Sequence, residues 1–151
     1  MKKFKFSLET VLSYKQQVLE ALQGEHAVLL ARVREQETLL QAIWDEYHDY
    51  NDEFCERKMT GLPITDAVIY QNGLRVLETR IQRETERLEQ LRRQEEQKRE
   101  QVVEARKETA SLEKLREKKL VAYEKELSRA EELLIEEFVS NTASVRNVSA
   151  F

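Results

Sequence analysis

Hydrophobic positions in the early part of the chain advance in alternating steps of four and three: Leu8, Leu12, Lys15, Leu19, Leu22, His26, Leu29, Val33, Gln36, Leu40, Ile43, Tyr47, Tyr50 and Phe54. Eleven of these fourteen positions are apolar, so the run is a stripe. A slightly underwound helix keeps such a stripe against one partner along its whole length. A second run follows the same rhythm through Ala67, Tyr70, Leu74, Leu77, Ile81, Glu84, Leu88, Leu91, Glu95, Lys98, Val102, Ala105, Thr109 and Leu112. It resumes through Arg116 at Leu120, Tyr123, Leu127, Ala130 and Leu134, a stutter that should relax the supercoil locally. Between the runs stands Thr60-Gly61-Leu62-Pro63, with the chain's only proline. The pattern predicts an all-α fold in which two long helices form an antiparallel coiled-coil hairpin, the second helix longer than the first.

End signals set the boundaries. Ser7 can cap the first helix, with Glu9 on the favourable side of the macrodipole. That helix is expected over 8–60. Gly61 suits a left-handed closing residue and Pro63 prevents continuation, giving a turn over 61–64. The second helix is expected over 65–139, which makes 1–139 a single hairpin domain. Residues 140–151 are small, polar and without period, and are expected to be a disordered, flexible tail. A turn centred near Leu62 places Leu8 opposite Glu117. Residues from Lys118 to Val139 then overhang by roughly 30 Å at 1.5 Å per residue. The overhang still carries apolar positions, which mark either a surface for a partner or one that packs back on Phe4 and Phe6 or self-associates.

Composition agrees with an extended helical chain. Charged residues make up 36% of the sequence, against about 25% in ordinary domains. Glycines number 3 and prolines 1, too few for the reversals of a globule. The net charge of -4 is spread over mixed signs, which offers no basic surface to nucleic acid. No apolar run reaches the length of a membrane span, and Met1 to Phe6 has no signal-type apolar stretch behind it. A soluble, cytoplasmic chain is expected. Cys55, the lone cysteine, lies near the end of the first stripe and is expected to be a small packed side chain.

Enzyme chemistry finds no footing in these residues. Gly24, Gly61 and Gly73 are isolated and form no phosphate loop. His26 and His48 would lie roughly 33 Å apart along a helix, too far to share a metal. Asp45 and His48 have the spacing of half a carboxylate metal site, but a second such pair is missing. No nucleophilic triad is evident. The reading is therefore no enzyme, no metal, no cofactor and no small-molecule substrate. The interleaved charges of Glu84 to Lys107 read as a solvated coiled-coil face.

Three features remain. Polar residues at seam positions His26, Gln36, Glu95 and Lys98 should fix register while loosening the middle. Near the turn, Leu39, Leu40, Ile43, Trp44, Tyr47, Tyr50 and Phe54 face Ile64, Val68, Ile69, Tyr70, Leu74, Val76 and Leu77, more apolar surface than one seam covers. At the far end Glu131, Glu132, Glu136 and Glu137 sit at the negative pole of the macrodipole, where they favour fraying or a basic partner.

The opening Phe4-x-Phe6-x-Leu8-Glu9-x-Val11-Leu12, followed by Lys15 and Glu20, resembles the start of the FliJ family of flagellar type III export proteins. The charged stretch from Leu112 to Tyr123 is similar to the family's C-terminal region. The resemblance implies an ATPase-associated coiled-coil stalk at the flagellar basal body, peripheral to the inner face of the cell membrane. Its implied partners are the export ATPase hexamer, the membrane export gate protein and certain export chaperones. Gate-contacting positions match Gln36, Leu40, Ile43, Tyr47, Tyr70, Leu74, Leu77 and Ile81. The open end, with Phe4, Phe6, Leu8, Leu120, Tyr123, Leu127 and Leu134, is the expected contact with the ATPase ring. The expected function is a non-enzymatic coupling component between that ring and the gate. A structural tether or self-associating element, and a substrate escort chaperone, are the alternatives.

Overall fold

The computed structural model describes residues 2–150. Its two helices are α1, Glu9–Thr60, and α2, Ile64–Ser149. They pack against each other as a hairpin, and the second is the longer. Gly61 makes the reversal possible, because its φ of 97° lies where a Cβ is strained. The Pro63 carbonyl then accepts the amides of Asp66 at 3.1 Å and Ala67 at 3.0 Å, so helix resumes at Ile64. Asp66 in that first turn complements the helix dipole. At the start of α1 the closure comes from the backbone rather than the Ser7 hydroxyl: Glu9 donates to the Phe6 carbonyl at 3.1 Å and Leu12 to that of Leu8 at 2.8 Å.

By contacts the chain forms two units, one comprising the segment up to Leu19 with Ala105 onward, the other Glu20–Glu104. In the second unit the predicted stripes are the seam. Val33, Gln36, Ile43 and Phe54 of α1 are buried, as are Tyr70, Leu77, Ile81, Leu88, Glu95 and Val102 of α2. Ile43 is the most enclosed at 2% exposure, and with Leu77 and Ile81 it forms a cluster bordered by Leu40, Tyr47 and Tyr50. Two helices can shield only one stripe each, so the core is one side chain deep. Cys55 is exposed, contrary to the packed position expected of it. It follows Phe54, and one residue along a helix turns a side chain about 100° away from the seam.

In the first unit Phe6, Leu12, Ala105 and Thr109 are buried. The segment before α1 lies along α2: the Phe4 ring is 5.6 Å from that of Tyr123, and the Tyr123 hydroxyl donates to the Lys2 carbonyl at 2.7 Å. Arg116, the stutter position, donates to Glu9 at 3.0 Å with its guanidinium 5.7 Å from the Phe4 ring. A groove between Lys2–Ser7 and Lys119, Ala122, Tyr123 and Glu126 completes this region. So of the two outcomes open for the overhang, its first part packs back on Phe4 and the N-terminal segment, and Tyr123, Leu127 and Ala130 are half-buried. The described residues from Glu131 on are exposed.

α2 does not end at 139. It continues to Ser149 where the sequence reading expects a disordered tail from 140. Residues 140–149 contain no glycine or proline, and a helix needs no buried face to keep its backbone bonds. The Thr142 hydroxyl also returns to the Phe138 carbonyl at 2.8 Å and that of Ser149 to Val145 at 3.0 Å. Absence of an apolar period is not absence of helix. Phe151 lies outside the described residues.

Candidate partner-binding surfaces

The eight positions matched to the gate contact all lie along the seam of the turn-end unit. Gln36, Ile43, Tyr70, Leu77 and Ile81 are buried, while Leu40, Tyr47 and Leu74 are half-buried and reach the surface. Tyr70 is held on every side. Its ring lies 5.0 Å from both Phe54 and Tyr50, its hydroxyl donates to Glu53 at 3.1 Å, and it accepts from Arg57 at 2.9 Å. Tyr50 reaches that place because residue 73 is glycine; a Cβ there would stand 2.6 Å from the Tyr50 hydroxyl oxygen. Tyr47 has its hydroxyl on Glu78 at 3.2 Å. Burial and then that bond raise the phenol's pKa.

Beside this seam several apolar side chains are exposed. Trp44 stacks on His48 with centroids 5.6 Å apart and meets Tyr47 edge-on at 5.8 Å. On α2, Val68, Ile69 and Val76 are exposed. Aromatic groups with polar edges suit a surface that is wet alone and covered in a complex.

Polar seam residues farther along the same unit are bonded rather than vacant. Gln36 donates to the Glu84 carbonyl at 3.1 Å and to its carboxylate at 2.5 Å. His26 Nε2 lies 2.9 Å from Glu95 Oε1, and Arg99 grips both Glu95 oxygens at 3.1 and 2.7 Å. These bonds, Arg99 first and His26 second, hold the Glu95 carboxyl down at about 2. His26 of α1 thus meets Glu95 of α2, and Lys98 pairs with Glu25 at 2.7 Å. No buried side-chain polar atom lacks a partner among the described residues.

At the open end, the residues matched to the ring contact separate into two groups. Phe6 is buried, and Phe4, Leu8, Leu120, Tyr123, Leu127 are half-buried against the N-terminal segment and α2. Leu134 is 66% exposed, and with it stand Ile135, Phe138 at 72%, Val139, Val145 and Val148. Of this bare face the sequence reading singled out only Leu134. The spacing from Leu127 through Leu134 and Phe138 to Val145 was the available signal, masked by the polar residues between them.

A helical hairpin whose polar groups serve to join its own helices, with apolar surface left over in each unit, defines a coiled-coil interaction protein. Among the described residues no His, Cys, Asp or Glu cluster could hold a metal ion, and no helix is long and apolar enough to cross a membrane. The family described as Flagellar FliJ protein matches residues 4–147, and the chain belongs to it. Neither the curated proteins nor the solved structures compared with the chain match it. Family membership makes it a non-catalytic component of the flagellar export apparatus.

Proposed function

We propose that the chain is the stalk that couples the export ATPase ring to the membrane export gate. The observation that carries this reading is the presence, in a chain matching this family over residues 4–147, of separate uncovered apolar surfaces in its two units. The turn-end unit offers Leu40, Tyr47 and Leu74 with Trp44, backed by the buried Gln36, Ile43, Tyr70, Leu77 and Ile81. These are the gate side. The open-end unit offers Leu134 and Phe138, beyond the half-buried Phe4, Leu8, Leu120, Tyr123 and Leu127. They are the ring side.

The mechanism is mechanical. The ATPase supplies the nucleotide chemistry, and a change in the ring reaches the gate only while both surfaces stay engaged. A hairpin suits that role because its helices are joined by bonds such as Lys15 to Glu108 at 2.8 Å and Lys98 to Glu25 at 2.7 Å. The test is ATP turnover and ring assembly by the export ATPase with and without this protein. Stimulation of either supports the stalk. No effect on both, where the ring is able to form, overturns it.

A further inference from the structure

The outer face of α2 in the turn-end unit carries a groove lined by Arg75, Val76, Thr79, Arg80 and Arg83, with no carboxylate in its wall. About two helical turns toward the hairpin turn, Ile69 lies on the same side of α2, 63% exposed, as Val76 is 67% exposed. Of the lining arginines, Arg80 alone has an ion pair among the described residues, a long one to Glu46 at 3.9 Å. This groove is basic and apolar. The bare end of α2 has the opposite character: Leu134 and Phe138 form its ridge, with Glu131 and Glu137 on the same side.

We propose that the second surface docks into the first on another copy of the chain. Both lie on one continuous helix, Ile64–Ser149, so the pairing joins two molecules. An antiparallel arrangement brings like to like. With Leu134 seated on Val76, Phe138 falls between Ile69 and Asn72, Glu131 faces Arg80, and Glu137 faces Arg75. A parallel arrangement in the same seating also brings the glutamates near Arg75 and Arg80, but it carries Phe138 onto Arg80 and away from Ile69. The antiparallel alignment also seats the first copy's Val76 on the second copy's Leu134, so the contact is isologous and closes as a dimer. Assembly through the end that the stalk reading gives to the ring would hold the chain in reserve until the ring competes for it.

Sedimentation velocity of the full chain over a range of concentrations tests this. Wild type is expected to shift from monomer to dimer with concentration, less so at high salt. Arg75→Glu with Arg80→Glu, and separately Glu131→Arg with Glu137→Arg, should each weaken association by about tenfold or more through like-charge contacts. The chain carrying all four reversals should regain it. A wild-type monomer at every concentration overturns the proposal, and so does association that the reversals leave unchanged or that the fourfold variant fails to recover. In the first of those outcomes the groove belongs to an acidic segment of a different protein.

Discussion

Glu95 shows how a charged residue can occupy a seam. Its carboxylate is shielded from water by the opposite helix and held by Arg99 and His26, which lowers its pKa from 4.5 to about 2. The folded state therefore binds this proton less readily than the unfolded chain. The stabilisation is complete above the unfolded value and fades as pH falls from about 4.5 toward 2. Thermal melts across that window should show a decline in the wild type that is shallower in Glu95→Gln. Two glycines give a contrast of sign. Gly24 has open space where its Cβ would be, so Gly24→Ala should raise stability by about 0.5–1 kcal/mol through helix propensity. Gly73 faces the Tyr50 ring, and displacing that ring breaks its packing on Tyr70. Gly73→Ala should lose about 1 kcal/mol after the propensity gain is set against overpacking. Urea denaturation followed by circular dichroism reads both.

Each helix was legible from its stripe. The 3.5-residue spacing gave the buried side of α1 position by position from Leu8 to Phe54, because in a two-helix hairpin period and burial have a single cause. Gly61 and Pro63 likewise marked the turn. What spacing could not supply was the state of positions outside the period. It read residues 140–149 as coil, though hydrogen bonding sustains helix there without any seam. It placed Tyr70, Leu77 and Ile81 in the seam, where they are buried, but not how closely they are held there. The sequence carries a residue's face but not the distance of closest approach, and the aromatic interlock of Tyr50, Phe54 and Tyr70 draws the helices together. Tyr70→Ala is consequently a folding variant before it is a binding one. Along the elements the account expects a graded response. Ile43→Ala should cost about 2–5 kcal/mol, as buried truncations do, while Leu134→Ala should change stability by less than about 0.5 kcal/mol. Amide exchange should follow the same gradient, slow around Ile43 and Leu77 and fast beyond Glu131.

For the whole molecule the central claim is that one chain must hold two partners at once. A protein that merely bound each partner in turn would share the same surfaces and the same family. The distinction lies in whether two half-defective molecules can replace one intact molecule. The turn-end variant Trp44→Ala with Tyr47→Ala and the open-end variant Leu134→Asp with Phe138→Asp alter separate surfaces, and wild-type helicity by circular dichroism establishes that both fold. Secretion of flagellar export substrates is then measured in cells lacking the native chain and supplied with either variant or with both together. The account predicts that each variant alone exports poorly and that their co-expression does not restore export, because neither molecule spans the two partners. Restoration to near wild-type secretion by the mixture would contradict it.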